Sequence, residues 1–525
     1  MTQHISIEAE RLALQDGLDA RKTQAERNRL GQFATPTSLA VDILREGKKL
    51  LGRGEKARFL DPAIGTGSFY SALLSVFPGG RIQWAKGFEI DAHYGEPARS
   101  LWEKSGLEIT LTDFTAQPAP TCDDAKANLV VCNPPYVRHH HLTQDEKARL
   151  HKATLHASGI PLNGLAGLYC HFLCLSHAWL ARNGAALWLV PSEFMDVNYG
   201  ARVKEYLLEA VTLERVHRFD PADVQFGDAI VSSAVVCFRN SPRPMGHVVR
   251  FTYGGTLANP RIVREVSADT LHPKSKWTGI PLGDAHDGDH EKEACLADLF
   301  TIRRGIATGA NGFFIMPEEK ADALGLPRAM LTPVLPSPRC LEVDEIDADE
   351  KGVPNVSRRL MLVNCRLPEA DIRQEFPKLW AYLQEGISAG VSERYLCKHR
   401  EPWYSQENRP PAPFLCTYMG RHKKNKTVFR FILNNSRATA ANVYLLLYPK
   451  PRLAKAIGGS RAKRRAVWEA LCNIDSESLT GVGRVYGGGL HKMEPKELAA
   501  APAHTVLAVV PEAAPSQAQA TLFPA

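Results

Sequence analysis

The sequence predicts an α/β fold with a doubly wound, mostly parallel sheet of seven strands, followed by a mixed α+β domain. Three observations support this prediction. Short apolar runs alternate with helical patterns between residues 31 and 240, as consecutive βαβ units require. Polar residues follow four consecutive predicted strands, at the sheet edge where such folds bind ligands. Beyond residue 245 the chain carries an excess of basic residues, which indicates a domain of different character.

The elements follow from local patterns. Strands are short apolar runs bounded by turn residues, and helices repeat apolar residues every three or four positions. In chain order, we predict a helix over 5–30, a turn over 31–36, a helix over 37–51, a strand over 58–61, a glycine turn over 62–69 leading into a helix to 77, strands over 83–90, 107–111 and 127–132, a helix over 165–181, a strand over 185–190, a helix over 201–209, and strands over 213–219 and 230–238.

Composition sets the class of protein. A length of 525 residues predicts two to four domains, and 44% apolar with 23% charged residues is ordinary for a globular protein. No apolar run approaches the roughly 18 residues that span a bilayer, so no membrane association is expected. The 11 cysteines are irregularly spaced without a CxxC pair, which predicts a reducing, cytoplasmic compartment and no metal site.

The net charge of +7 is unevenly distributed. Residues 1–245 contain 27 basic and 27 acidic residues, so the excess lies in the second half. The block 394–465 alone has 17 lysines and arginines against two acidic residues. Such an excess favours a polyanionic partner, most simply double-stranded DNA. Its densest part predicts DNA contacts at Arg421, Lys423, Lys424 and Lys426.

The loop Asn133-Pro134-Pro135-Tyr136 follows the apolar run 127–132. Two successive prolines end the strand, because each lacks a backbone N–H and has a fixed φ. The rigid loop presents an amide, donor-free carbonyls and an aromatic ring. The Asn133 oxygen and the Pro134 carbonyl can accept both N–H bonds of an exocyclic amino group, while Tyr136 stacks on the ring that carries it.

Four strand ends carry the polar residues Asp61, Glu89, Asp113 and Asn133. The third glycine of a dinucleotide-binding fingerprint is absent, and no GxxxxGK[ST] motif exists, so neither a pyrophosphate nor an NTP is the expected ligand. A ligand with a ribose but no phosphate fits better. Glu89 can accept from ribose hydroxyls and Asp113 from an adenine amino group, with a small amino-acid portion near the turn 65–67.

The ordered segments GQFATP (31–36), FLDPAIGTGSF (59–69), GFEID (87–91), TDF (112–114) and NPPY (133–136) closely resemble the gamma-class amino-methyltransferases of DNA, which include the TaqI adenine methyltransferase. The resemblance covers about residues 28–240. It implies a Rossmann-like methyltransferase sheet, S-adenosylmethionine as cofactor, and a bacterial or archaeal restriction-modification role, with a separate restriction endonuclease acting on the same site as a possible partner.

The resemblance also implies residue roles. The catalytic loop falls on Asn133, Pro134, Pro135 and Tyr136, and Phe226 matches an aromatic that the family places against the extruded base. The implied cofactor contacts are Thr35, Asp61, Ala63, Gly65, Gly67, Glu89, Ile90, Asp113, Phe114 and Asn133.

The expected mechanism follows from how a base can approach the cofactor and how its amino group can be oriented. A base within a duplex cannot approach a sulfonium methyl group, so the adenine must be extruded into the pocket. The two acceptors of the loop then orient the N6 lone pair for direct in-line displacement. No nucleophilic cysteine is needed, and no general base is assigned. No PD…ExK constellation is present, and the 30 residues before 31–36 leave no room for a nuclease domain, so modification alone is expected.

Alternatives remain open. A cytosine-N4 methyltransferase would use the same pocket, although asparagine as the first loop residue favours adenine. A methyltransferase of RNA or of a protein glutamine would not require a long basic second half. A DNA-binding protein with a vestigial cofactor fold would be expected to have lost at least one of the four strand-end residues.

The sequence divides into five predicted domains. Stretches 303–311, 430–449 and 485–498 are similar to recognition regions of related bacterial modification enzymes. The domains are an N-terminal helix (1–30), the catalytic domain (31–240), a connecting segment with a few strands (241–292), a target-recognition domain (293–498) and a flexible Ala/Pro-rich tail (499–525).

Overall fold

The computed structural model describes residues 2–78, 80–220, 232–283, 294–421, 427–486 and 490–514. The chain divides into two compact units, one built on Met1–Asp287 and the other on Gly288–Val485 and Leu490–Ala525. Within the described ranges, no helix is long and apolar enough to cross a membrane.

A single nine-stranded sheet forms the centre of the first unit. Its strands are β1 (Ala57–Asp61), β2 (Ile82–Glu89), β3 (Leu107–Leu111), β4 (Ala127–Cys132), β5 (Leu180–Pro191), β6 (Thr212–Arg218), β7 (Ser233–Arg239), β8 (Val248–Gly255) and β9 (Pro260–Ser267). Their order across the sheet is β3-β2-β1-β4-β5-β7-β6-β8-β9. Strands β1 to β5 pair in parallel, whereas β7 is antiparallel to both β5 and β6.

The parallel strands are buried from both sides. All six residues of β4 are buried, and their side chains alternate between two hydrophobic cores, as strand geometry requires. Val130 and Cys132 belong to one core, and Leu129 and Val131 to the other. The helices that surround the sheet are α1 (Thr2–Asp19), α2 (Gln24–Leu30), α3 (Thr37–Leu50), α4 (Ser68–Val76), α5 (Ala92–Trp102), α6 (Gln144–Ser158), α7 (Leu168–Leu175) and α8 (Gly200–Glu205).

The predicted strand count of the sheet was too low, because strands β8 and β9 of the segment 241–292, which was predicted as a linker with a few strands, belong to the sheet. β8 pairs in parallel with β6, and β9 pairs with β8. Val249 and Phe251 are fully buried at alternate positions of β8. The Gly, Pro and His residues around these strands gave no sign that they extend the sheet.

Two helix predictions were too long. The predicted helix over 5–30 is two helices, because α1 ends at Asp19 and Thr23 caps the start of α2. The Thr23 side chain accepts from the Glu26 N–H, and the Glu26 side chain accepts from the Thr23 N–H at 2.8 Å. This reciprocal capping box is a strong helix start. The helix over 165–181 ends as α7 at Leu175, and β5 already begins at Leu180.

The second unit has mixed α and β structure, as predicted. Its strands are β10 (Phe300–Arg304), β11 (Ile315–Pro317), β12 (Leu331–Leu335), β13 (Glu345–Ile346), β14 (Leu360–Val363), β15 (Phe414–Thr417), β16 (Met419–Arg421), β17 (Phe431–Asn434), β18 (Thr439–Ala440), β19 (Tyr444–Pro449), β20 (Arg484–Tyr486) and β21 (Leu490–Lys492). They form sheets ordered β10-β19-β15-β17-β13, β11-β14-β12-β18 and β16-β21-β20. The helices are α9 (Leu296–Leu299), α10 (Asn311–Phe314), α11 (Glu318–Ala323), α12 (Glu369–Glu375), α13 (Pro377–Ser388), α14 (Tyr395–Lys398), α15 (Pro451–Ile457), α16 (Arg461–Cys472), α17 (Ser476–Val482), α18 (Pro495–Ala499) and α19 (His504–Val509).

The prediction of a flexible tail from residue 499 is wrong for the described part. Helix α19 packs against α16, and Ala503, Val506 and Ala513 are buried in the core of the unit. Val506 and Val510 are buried and Leu507 packs beside them, so a few apolar side chains at helical spacing fix this segment despite its Ala/Pro-rich composition. Residues 515–525 lie outside the described part.

Candidate functional site

A cavity of about 640 Å³ opens at the carboxyl ends of β1 to β4. The strand order reverses between β1 and β4, which is where doubly wound sheets bind ligands. Of the predicted site residues, the following line the cavity: Ala63, Gly65, Glu89, Ile90, Asp113, Phe114, Asn133 and Pro135. The following do not line it: Thr35, Asp61, Gly67, Pro134 and Tyr136.

The side chain of Asn133 is held by the loop 31–36. Its Nδ2 donates to the carbonyl of Phe33 at 2.9 Å and to Oγ1 of Thr35 at 3.1 Å. These bonds use both amide hydrogens and set which end of the amide is the oxygen. Oδ1 of Asn133 is buried, and no group in the described part of the chain donates to it. A buried acceptor without a donor is unusual and indicates a place for a ligand N–H.

The loops 31–36 and 133–136 are in direct contact through Gly31. The N–H of Tyr136 donates to the Gly31 carbonyl at 3.2 Å. Gly31 has φ +65°, and a Cβ at this position would lie 2.3 Å from the Tyr136 nitrogen. Both the backbone angle and the close approach require glycine. Thr35, predicted as a cofactor contact, accepts a hydrogen bond from Asn133 through its Oγ1.

Tyr136 is fixed at both ends of its side chain. Its hydroxyl donates to the carbonyl of Leu189 on β5 at 3.1 Å. Its ring lies against Phe33, with centroids 5.6 Å apart, and edge-on to Tyr169 at 6.5 Å. Burial raises the pKa of the Tyr136 phenol well above its usual value. The hydroxyl therefore stays protonated and acts as an anchor for the ring.

Asp61 supports the glycine turn from behind the cavity. It is 1% exposed, and its Oδ1 accepts from the N–H of Ala63 at 3.1 Å. Burial raises its pKa to about 8, so the side chain is largely a neutral acid at pH 7. The turn itself is narrow: a Cβ on Gly67 would lie 2.4 Å from Nε1 of Trp102.

Glu89 joins the glycine turn to the end of β2. Its Oε2 accepts from the N–H of Gly65 at 3.0 Å, and its Oε1 accepts from the N–H of Asp91 at 2.8 Å. Burial raises the pKa of this carboxyl group. Each oxygen retains a second lone pair, and the residue faces the cavity. The next residue, Ile90, is 71% exposed and also lines the cavity, which provides an apolar surface for a planar ring.

Asp113 closes the far end of the cavity with a partner that sequence reasoning missed. Its Oδ1 accepts from the N–H of Thr115 at 2.9 Å, and its Oδ2 pairs with Arg149 of α6 at 3.0 Å. Arg149 also donates to the Thr115 carbonyl at 3.0 Å. No local signal in the sequence marks Arg149, because it lies 36 residues from Asp113.

Helix α1 also contributes to the cavity, although it was predicted to be separate from the catalytic domain. Gln15, Asp19 and Lys22 line the cavity wall. A signal was present in the sequence for two of them: Gln15 and Asp19 are four residues apart and share one face of α1, whereas Lys22 lies in the turn that follows the helix. That face would ordinarily be expected to point to solvent.

Several predicted contacts lie outside the described residues: Phe226, Lys423, Lys424 and Lys426. Arg421 is exposed at the end of β16. No cluster of three or more His, Cys, Asp or Glu side chains suited to a metal ion is found among the described residues.

Part of the basic block 394–465 is used within the second unit. Arg430 donates to Asp344 at 2.8 Å and to the Pro338 carbonyl at 2.7 Å, and Arg400 donates to the Thr308 carbonyl at 2.9 Å. Arg461 pairs with Glu345 at 3.5 Å. The excess of positive charge in this block therefore overstates the number of side chains available to a polyanion.

Comparisons with known proteins agree with this architecture. Two family models match: "Eco57I restriction-modification methylase" over residues 83–225 and "Type II methyltransferase M.Eco57I, C-terminal domain" over residues 288–521. The chain is 29% identical over 487 residues to type II methyltransferase M.XamI of Xanthomonas campestris pv. amaranthicola, covering 90% of this chain and 84% of that protein. It is 25% identical over 488 residues to type II methyltransferase M.AccI of Acinetobacter calcoaceticus, covering 90% and 85%.

A solved structure, that of the type IIL restriction-modification enzyme MmeI in complex with DNA, matches 96% of this chain and 74% of that chain. The TM-score is 0.51 at 14% identity, which shows a shared fold. The chain is thus similar, along most of its length, to type II restriction-modification methylases of the Eco57I kind.

Proposed function

We propose that this relative of the type II restriction-modification methylases transfers a methyl group from S-adenosylmethionine to the N6 amino group of an adenine in double-stranded DNA. The observation that carries the proposal is the buried Oδ1 of Asn133, which has no donor in the described part of the chain. An exocyclic amino group supplies the missing donor. Similarity to M.XamI and M.AccI, both named as type II methyltransferases, supports DNA as the substrate.

The cavity fits the cofactor. Its volume of about 640 Å³ lies within the usual range for small-molecule sites, about 300–1,000 Å³. Glu89 offers acceptors for ribose hydroxyls, Ile90 an apolar surface for the adenine ring, and Asp113 an acceptor for the adenine amino group. Gly65 and Ala63 allow close approach of the amino-acid portion to the backbone. Bound there, S-adenosylmethionine supplies an electrophilic methyl group.

The protein's own groups orient the nucleophile. Because the Nδ2 of Asn133 is occupied by Phe33 and Thr35, the amide cannot rotate, and Oδ1 always faces the amino group. With the Pro134 carbonyl as the second acceptor, both N–H bonds are held and the lone pair is directed away from them. Tyr136 stacks on the extruded base, and Phe226 is proposed for the opposite face. Preorganised acceptors of this kind need no reorganisation during the reaction.

Adenine is proposed over cytosine because asparagine is the first residue of the loop 133–136, as in the adenine-modifying members of the resembled class. A cognate restriction endonuclease that recognises the same site is proposed as the functional partner. The exposed basic residues of the second unit, including Arg421, are proposed to contact the DNA backbone.

The test is nucleoside analysis of DNA after incubation with the full chain and S-adenosylmethionine. We expect N6-methyladenine in duplex DNA, and loss of product in Asn133→Ala. Asn133→Ala should retain cofactor binding, since the cavity keeps its other walls. N4-methylcytosine as the only product would reassign the target base. Methylation of RNA or of a glutamine peptide, without methylation of DNA, would contradict the proposal as a whole.

A further inference from the structure

Helix α1 is attached to the first unit by a polar face, which is unusual for a helix at the surface of a domain. Arg11 is 1% exposed and Gln15 is 9% exposed. Arg11 donates to Oγ1 of Thr66 at 3.3 Å and to Oγ of Ser68 at 3.0 Å. The hydroxyl of Thr66 donates to Oε1 of Gln15 at 2.6 Å. Burying charged and amide groups costs free energy unless they are paired, so this face serves specific contacts with the glycine turn.

The end of this face and the turn that follows α1 form part of the cavity wall, where Gln15, Asp19 and Lys22 line the cavity. Oδ1 of Asp19 accepts from the hydroxyl of Tyr94 at 2.7 Å and from Nε2 of Gln15 at 3.0 Å. Lys22, in the turn, forms an ion pair with Asp91, which follows β2. These contacts orient one carboxylate and one ammonium group at the cavity wall.

The other charged side chains that line the cavity are Glu89, Asp91, Asp113, Glu146 and Arg149. Glu89 lies at the end of β2, Asp91 is the partner of Lys22, and Asp113, after β3, pairs with Arg149 of α6. The turn 62–68 itself contains no charged side chain. Yet the amino-acid end of S-adenosylmethionine, which must lie near this turn if Glu89 holds the ribose, carries one positive and one negative charge. Asp19 and Lys22 are of opposite sign and match it, because the Lys22 ammonium has three donors and can bind a carboxylate while it remains paired with Asp91.

We propose that α1 and the turn that follows it are part of the cofactor site, and that Asp19 of α1 and Lys22 of the turn recognise the ammonium and the carboxylate of the amino-acid end of S-adenosylmethionine. This inference rests on the proposed function, because it assigns residues within the same cofactor cavity. It makes the N-terminal helix a recognition element and not only a structural extension of the domain.

Titration calorimetry with the full chain and two ligands tests the role of Asp19. S-Adenosylhomocysteine has the amino-acid end, and 5′-methylthioadenosine lacks it. We expect Asp19→Asn to weaken S-adenosylhomocysteine at least ~10-fold, because a charge-assisted hydrogen bond is lost. Its affinity for 5′-methylthioadenosine should stay within about twofold of wild type, which also shows that the cavity is intact. Asp16→Asn is the matched control, since Asp16 is exposed on the same helix and does not line the cavity.

Decarboxylated S-adenosylmethionine separates the two charges. It keeps the amino group and lacks the carboxylate. Lys22→Gln should weaken S-adenosylmethionine but leave the decarboxylated ligand almost unaffected, whereas Asp19→Asn should weaken both. This crossed pattern is not expected if the variants merely loosen α1.

The outcomes distinguish the inference from the proposed function. If Asp19→Asn weakens S-adenosylhomocysteine and 5′-methylthioadenosine equally, or leaves both unchanged, α1 does not recognise the amino-acid end and the inference is overturned. If the wild-type chain binds neither S-adenosylmethionine nor S-adenosylhomocysteine, the proposed function fails, and the inference fails with it.

Discussion

Replacement of Tyr136 tests the proposal that the loop 133–136 holds the target base by stacking. Tyr136→Phe keeps the ring but removes one hydrogen bond to the Leu189 carbonyl, which is worth about 0.5–1.5 kcal/mol. If that loss is expressed in the transition state, methylation should slow about 2- to 12-fold. Tyr136→Ala also removes base stacking, worth about 1–3 kcal/mol, and should slow methylation about 5- to 150-fold beyond the effect of Phe. Tyr136→Trp should be worse than Phe, because Phe33 and the Leu189 carbonyl confine the ring.

Single-turnover methylation of a duplex with one target site measures these rates. The same duplex with 2-aminopurine at the target position reports base extrusion by fluorescence. Thermal unfolding of each variant separates a loosened loop from a loss of stacking. We expect Tyr136→Phe to retain extrusion and to lose no more than about 12-fold in rate, and Tyr136→Ala to reduce both extrusion and rate further. If Phe proves as inactive as Ala while remaining folded, the hydroxyl takes part in the chemistry, and the stacking role is refuted.

Three further predictions follow from the site. Burial raises the pKa of Asp61 to about 8, so the wild type loses folding stability as the pH rises from roughly 4 to 8. Asp61→Asn should therefore gain stability relative to wild type by about 1.4 kcal/mol per pH unit in this window. A stability difference that does not change with pH in denaturant titrations would argue against a buried neutral acid. Gly31→Ala should destabilise the chain by more than Gly54→Ala, because both glycines have positive φ but only Gly31 lies against another segment, the backbone of Tyr136. Equal losses in the free energy of unfolding would mean that the loops 31–36 and 133–136 do not touch. Arg149→Met should weaken S-adenosylhomocysteine about 2- to 5-fold by releasing Asp113, with Arg149→Lys intermediate; calorimetric affinities equal to wild type would show that this ion pair does not shape the cavity.

The strands that carry the site could be predicted from the sequence. The runs 107–111 and 127–132 match β3 and β4 in both bounds, because apolar stretches end abruptly at polar or proline residues. Parallel strands place their carboxyl ends at one edge, so the convergence of Glu89, Asp113 and Asn133 on one cavity followed from order alone. Such reasoning needs only local patterns and one topological rule.

Contacts between distant segments could not be predicted in the same way. Arg149 and Asp19 reach the cavity from helices whose polar residues look like solvent-facing positions. Strand β9 has an alternating exposed face and becomes a strand by pairing with β8. In each case the structure depends on a contact between segments that are distant in the chain, and local sequence propensity does not predict such contacts.

The basic block shows the limit of counting charges. Arg430 and Arg461 contribute to a net charge that suggests a polyanion, yet both form ion pairs within the second unit. Sequence composition counts a paired guanidinium and a free one equally. Only the positions of Asp344 and Glu345 distinguish them.

The anchoring of Tyr136 has a consequence for protein synthesis. The loop 133–136 depends on Phe33, about 100 residues earlier in the chain, and on Leu189, 53 residues after Tyr136. A nascent chain that has emerged only as far as the loop therefore lacks the carbonyl that positions the aromatic ring. Since domains generally fold as units during translation, β5 must leave the ribosome before the loop 133–136 can adopt the geometry of the full chain. A translation product that stops before residue 189 would then lack the hydrogen bond that fixes Tyr136.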